Sequence, residues 1–258
     1  MQLHRSTAEA LATRFVRRDP QNRSVWRTEY LGPPPSRRGA TIEQGSDDFV
    51  APPENSPQSF RIEQEGGIVV QPHFHFVNQF QVVVAGSASI GRNLVTSIGV
   101  HYAGAHTGYG PITAGPEGVT YFTLRAQSDG TGAQYLPASR ARMQPVPKRY
   151  ILAEPCPALD DAGLAALGAP QTVTMLDEAD GIGAWVLRLP ANGTSLGPDP
   201  AAGGGQSIFV ARGSLMHEGR ELDRHACLYV SSDEAPLPLK AGAGGLELVF
   251  CQFPRRAQ

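Results

Sequence analysis

The tract PHFHFVNQFQVVVAG carries two histidines, His73 and His75, one residue apart. Side chains alternate faces along an extended chain, so both rings project to one side. Two imidazoles aimed into one small space are half of a transition-metal site. A third histidine, His106, follows in GVHYAGAHTGYGP, after a strand and an Ala-Gly turn placed to bring its ring across to the first two. A lone histidine would favour a partly exposed strand residue; an H-x-H on an apolar strand with a third histidine downstream favours ligation. Tyr109, in the same tract, is the candidate for touching substrate and so the catalytic expectation.

These residues need strands to position them, and the chain is written in strands. From Ser59 it runs in short apolar stretches (SFRIEQ, GIVVQ, FQVVVAG, SIGVHY, VTYFTLRA), each bounded by Gly, Pro, Asn or Ser. That is the pattern of β-strands joined by turns, and 29 Gly with 22 Pro suit it. Residues 1–58, with PPP, APP and the polar cluster at Ser46, Asp47 and Asp48, read as an N-terminal arm with little core. Its start, MQLHRSTAEALATRFVRR, reads either as a transit peptide or as an amphipathic helix burying Leu11, Phe15 and Val16. The helix is the preferred expectation. Residues 59–127 are a first barrel and 128–170 a linker with a short helix near Leu159 to Leu167. Residues 171–258 are a second barrel.

The second barrel follows from an internal repeat. A shift of 127 residues (206 minus 79) places Gln79 on Gln206, Gly86 on Gly213, Ser87 on Ser214 and Tyr102 on Tyr229. Without a gap it also matches Pro111 with Pro238, Ala114-Gly115 with Ala241-Gly242, and Gly118 with Gly245. Upstream, Arg61 meets Arg188 and Gly66 meets Gly193. The same shift sends His73, His75 and His106 to Pro200, Ala202 and Asp233, so the second copy has lost its ligands.

With Gly67, His73, His75, Gln79 and Gly86, the first copy resembles the first motif of the cupin superfamily. Ala103, Gly104 and His106 resemble the second motif, one residue short and without its proline. The resemblance implies an all-β fold of two tandem antiparallel jelly-roll barrels, the first binding one divalent transition metal. It favours Fe(II), with Zn, Mn, Ni or Cu open. His73, His75 and His106 would hold the ion. Gln79 stands where cupins commonly have a carboxylate, and as an amide it does not offset the ion's charge. Gln206 persists without histidines, so Gln79 is either a ligand or a partner that orients a histidine or water. The resemblance leans towards a dioxygenase-like oxidoreductase acting on a small polar molecule. A ligand-binding or regulatory cupin, or a cupin isomerase or hydrolase, is the alternative. The missing carboxylate, with no other acid assignable to the cavity, counts against proton-shuttling reactions.

His101, whose match is Leu228, reads as a buried, hydrogen-bonded histidine, and Tyr102 as structural. Asn78 reads as a turn former, and His4, His217 and His225 as surface residues. AAGGGQ lacks the helix and lysine of a phosphate loop and reads as a shortened barrel corner. The formal charge of -2 excludes a basic nucleic-acid footprint, leaving a small-molecule partner, with an anionic one accommodated by the metal's charge. No apolar run nears the roughly 18 residues of a membrane span. Cys156, Cys227 and Cys251 are too scattered for a disulfide framework or zinc knuckle, so a reduced, cytoplasmic protein is the simplest reading. A homodimer is an expectation that no particular residue supports.

Overall fold

The structure is a computed structural model that describes residues 1–32 and 56–255. The PPP, APP and Ser46–Asp48 tracts lie outside the described residues. The chain forms two units, Arg14–Pro155 and a second made of Met1–Thr13 with Cys156–Gln258. Both are all-β and antiparallel, in keeping with a jelly-roll arrangement.

In the unit Arg14–Pro155, the main sheet runs Tyr150–Leu152, Gly99–Ala103, Gln79–Ile90, Ile112–Arg125, Gln58–Gln64, Ser24–Leu31, Phe15–Arg18. Two short strands, His73–Phe74 and Gln134–Tyr135, pair separately. Alternation decides what the long strands present. Phe80, Val82, Val100, Phe122 and Leu124 are fully buried on one face. Each such side chain contributes about 1.5–3 kcal/mol through the water it sheds. The other face carries Gln79, Gln81 and Val83, set opposite Ala103, His101 and Gly99 on one neighbour. On the other neighbour, Gln81 and Val83 meet Thr123 and Tyr121. Polar residues therefore collect along one interior wall, two positions apart, while the reverse face stays apolar.

The second unit repeats this plan. Gln79–Ile90 has its counterpart in Gln206–His217, Gly99–Ala103 in Cys227–Val230, and Ile112–Arg125 in Pro238–Gln252. The register repeats too: Phe80 pairs with Leu124 as Ser207 pairs with Cys251. The matched glycines have a steric reason. Gly86 and Gly213 adopt φ of 67° and 69°, where a Cβ would lie 2.2 Å from the Gly118 carbonyl oxygen and 2.1 Å from that of Gly245.

Two boundaries differ from the sequence reading. The expected arm is divided: Gln2–Arg5 pairs with Cys227–Val230 in the second unit, while Phe15–Arg18 and Ser24–Leu31 extend the first unit's sheet. Gln2–Arg5 and Phe15–Arg18 are four-residue edge strands that lack the alternation of a central strand, while Ser24–Leu31 is paired on both sides. The helix Thr7–Leu11 is short, held by a Ser6–Glu9 capping box, and buries Ala10. Leu11 and Val16, expected to be buried, are exposed at 44% and 48%. The expected linker is also divided. Gln134–Tyr135 and Tyr150–Leu152 pair within the first unit, and the helix Asp161–Ala165 belongs to the second.

Candidate active site of the first unit

His73 and His75 are both buried, their ring centroids 5.3 Å apart. Each ring is fixed through its Nδ1. His73 donates to the Gln71 carbonyl at 2.7 Å, and His75 to the Asp129 carboxylate at 2.5 Å. That leaves Nε2 of both rings as the lone-pair atom, with Arg125 Nη2 3.4 Å from that of His75 as a donor an ion would have to displace. Burial pulls the His73 pKa from 6.5 to about 3, helped by its neighbour His75. Burial and then the Arg125 charge lower that of His75, against its hydrogen bond to Asp129. Both rings are neutral at pH 7 and able to coordinate.

His106 does not join them. It occupies a turn at φ 59°, its backbone N–H donating to the His75 carbonyl at 2.8 Å. Its ring packs between Phe74 and Phe76, and its Nδ1 accepts from the Gln144 N–H at 3.2 Å. The proton therefore sits on Nε2, and neither nitrogen offers a free lone pair. The left-handed turn sets the His106 ring against Phe74 and Phe76, a placement that strand alternation does not foresee.

His101 takes the nearer place. It lies across the strand pair from Gln81 and donates Nδ1–H to the Gln81 amide oxygen at 3.0 Å. Its Nε2 is buried and has no hydrogen-bond partner. Burial, then the neighbouring His73, brings its pKa to about 3. A buried lone pair left unmatched costs about 1–3 kcal/mol, which a ligand at this atom would relieve. The expectation of a buried, hydrogen-bonded histidine holds for Nδ1 but does not account for Nε2.

Tyr109 sits between the imidazoles, 4.5 Å from the His73 ring and 5.0 Å from that of His101. It forms a β-bridge with His73. Its hydroxyl accepts from Gln79 Nε2, which leaves the phenol proton available to another acceptor. Burial pushes its pKa well up, so the phenol stays protonated. Gln79 is engaged at both ends, because its Oε1 accepts from Arg125 Nε at 3.1 Å and Nη2 at 2.9 Å. The oxygen that would coordinate an ion is thus already bonded, and Gln79 positions Tyr109 and Arg125.

Arg125 and Asp129 escaped the sequence reading. Arg125 is buried, donates to Gln58 Oε1 at 2.7 Å, and lies 3.2 and 3.4 Å from the His75 ring nitrogens. Asp129 is a buried carboxylate in the stretch read as linker. Burial would raise its pKa, but the His75 hydrogen bond and the Arg125 charge outweigh that and hold it low. An arginine closing an apolar strand and an aspartate in a Ser-Asp-Gly turn carry no spacing signal. The one available clue is that Arg125 falls on Gln252 under the shift of 127 (252 minus 125), a polar pair inside an apolar strand.

The remaining expectations sort simply. Tyr102 packs on Phe80 at 4.9 Å, and Asn78 accepts from the Ala105 N–H at 2.9 Å, bracing the turn. Pro200–Ala202, where the second unit has lost its H-x-H, is a short 3-10 turn. His217 is buried rather than on the surface, and His4 and His225 are partly buried. Cys156, Cys227 and Cys251 are free and buried, and among the described residues no helix is long and apolar enough to cross a membrane.

The donors in the first unit suit a borderline divalent cation: three neutral imidazoles, each fixed through Nδ1. Their ligand atoms do not all lie within 4.8 Å of one another, so holding one ion would require the rings to move. Among the described residues, the trio whose ligand atoms lie within 4.8 Å of one another is His4, His217 and Glu218, in the other unit.

No family model and no curated protein matches the chain. Solved structures do. A Lactobacillus farciminis oxalate decarboxylase in a formate complex aligns with TM-score 0.60 and 11% identity, over 99% of this chain and 87% of that one. The bacterial pirin YhhW from Escherichia coli, in complex with nickel(II), aligns with TM-score 0.58 and 14% identity, over 99% and 100%. A quercetin 2,3-dioxygenase from Acinetobacter baumannii aligns with TM-score 0.52 and 10% identity, over 98% and 79%. These neighbours are cupin-fold proteins, and the chain shares their fold.

Proposed function

We propose that the first unit is the working site of a mononuclear metal-dependent cupin enzyme, dioxygenase-like, acting on a small anionic molecule. The observation that carries this reading is the buried, partnerless Nε2 of His101, whose ring shares Tyr109 with that of His73. His73, His75 and His101 would hold the ion. A divalent transition metal there supplies a Lewis acid and, as iron(II), a redox-active centre.

The chain's own residues provide the rest. Tyr109, kept protonated by burial, donates its phenol proton to a substrate oxygen, while Gln79 holds the hydroxyl in place. Arg125 and Asp129 offset each other in charge, so the ion's own positive charge is left for an anion to match. Asp129 fixes the His75 tautomer, as carboxylates commonly do for ligating histidines. It is the carboxylate hydrogen-bonded to a ring of this group, while the other buried acid near Arg125, Glu29, is paired with Arg27. The depressed pKa of Asp129 makes it a poor proton shuttle, which favours redox over isomerase chemistry. The quercetin dioxygenase neighbour supports the direction of this reading.

The test is oxygen uptake by iron(II)-loaded protein across diketones, thiols and dihydroxy-aromatic acids. Uptake with one class, lost in Tyr109→Phe or His101→Gln, is expected. No uptake across the panel, with metal bound and displaced by none of these compounds, would overturn the enzyme reading.

A further inference from the structure

The second unit has no ligands where the first has its H-x-H, yet it brings three others together elsewhere. We infer that His4, His217 and Glu218 form a separate site for one borderline divalent cation such as zinc(II). Their candidate ligand atoms all lie within 4.8 Å of one another. His4 Nδ1 is 3.9 Å from the Glu218 carboxylate, and the two imidazole centroids are 5.2 Å apart at 86°. Rings set edge to face can turn their lone pairs to a common point, whereas stacked rings cannot.

Three elements converge to make the group. His4 belongs to the strand Gln2–Arg5, in register with Leu228. His217 ends the strand Gln206–His217 and pairs with Arg220, and Glu218 opens the turn between them. The neighbouring cation does not compete for the carboxylate, because Arg220 is bonded to Glu9 at 2.8 Å. Two imidazoles with one carboxylate are the donor set of zinc and its neighbours in the first transition row, water filling the remaining positions. Calcium and magnesium, which want several oxygens, are disfavoured.

An ion here would fasten the N-terminal strand to the hairpin of Gln206–His217 with Arg220–Leu222. Because the site exists only when that strand is docked, binding adds directly to the stability of the folded state. Its role is therefore structural and independent of chemistry in the first unit.

The test uses tag-free, full-length protein freed of metal by chelation and titrated with zinc(II) by calorimetry, with thermal unfolding in parallel. His73→Ala/His75→Ala protein, lacking the other donors, is expected to bind one zinc per chain and to unfold at a higher temperature with zinc. Losing even an outer partner of a metal ligand costs about 10–100-fold in affinity, so His4→Ala added to that background should cost at least about 100-fold. Glu218→Gln, at an exposed turn that tolerates change, should weaken binding and shrink the thermal shift. Should the double variant not fold, wild type and His4→Ala are compared, and the expected difference is one zinc per chain. Failure of the first-unit reading would appear separately, as a wild type binding one zinc that His4→Ala removes. Zinc binding unchanged in both His4→Ala and Glu218→Gln would overturn the inference.

Discussion

The Gln79–Arg125 pair in one unit and Gln206–Gln252 in the other occupy the same strands in the same register. In the first, a buried guanidinium donates to the Gln79 oxygen, and the amide nitrogen reaches Tyr109. In the second, Gln206 donates to Gln252 at 2.9 Å and to the Pro198 carbonyl at 3.1 Å, and no charge enters the wall. A glutamine that persists through both settings serves the barrel. On the proposed function, the residues that change around it, Arg125, the histidines and Tyr109, serve the chemistry. Burying an arginine and an aspartate is costly unless both are paired, and replacement by neutral groups is often neutral or stabilising. The first unit bears that cost at the position of this glutamine pair, whereas the second places its buried ion pair elsewhere, between Arg188 and Glu247 at 2.7 Å.

The contrast can be broken at its most expensive point. Arg125→Gln, which gives the first unit the second's pairing, leaves Asp129 buried beside neutral partners. It should lower stability by about 3–5 kcal/mol, read from urea unfolding. A loss under about 0.5 kcal/mol would mean that the guanidinium is solvated and the pair is not integral to the wall.

Acid should separate the units next. In the metal-free protein His73 and His101 have pKa values near 3, below the ordinary 6.5. Between those values the unfolded chain binds more protons than the folded one. Their contribution is therefore complete above about 6.5 and is lost as pH falls towards 3, by at most about 1.4 kcal/mol per pH unit for each ring. Hydrogen exchange should show Arg14–Pro155 opening first as pH drops from 6 to 4. Simultaneous opening of both units would contradict the assignment of acid sensitivity to these rings.

Asp129→Asn should weaken metal binding by about 10–100-fold while the fold survives, because His75 loses the partner that sets its tautomer. Unchanged affinity would reduce Asp129 to a loop brace for Thr131 and Gly132. Smaller still, Gly86→Ala and Gly213→Ala should cost about 1–3 kcal/mol each, since both force a Cβ against a carbonyl at positive φ. Matching losses by thermal unfolding would support the repeat at the level of strain, and clearly unequal ones would weaken it.

Much of the fold was legible because repetition is visible in sequence. The shift that matches Gly86 with Gly213 marks strands whose glycines a neighbouring carbonyl demands. The H-x-H was legible for the same local reason, alternation along one strand. The third imidazole was not, because His101 and His106 are separated by a turn, and turn geometry decides which ring points inward. Nor were Arg125 and Asp129. Their partners Gln58, Gln79 and His75 are distant in sequence, and such pairings arise only when strands are in register. The N-terminal strand was missed because an edge strand of four residues lacks a central strand's alternation.

The central claim is that His101, not His106, completes the first unit's site. It is tested most directly by iron(II) or zinc(II) affinity in a His4→Ala background, which leaves the first unit's site to be read alone. The account predicts that His73→Ala and His101→Gln each lose the ion, whereas His106→Ala keeps wild-type affinity. Loss of the ion in His106→Ala, with His101→Gln unaffected, would contradict it.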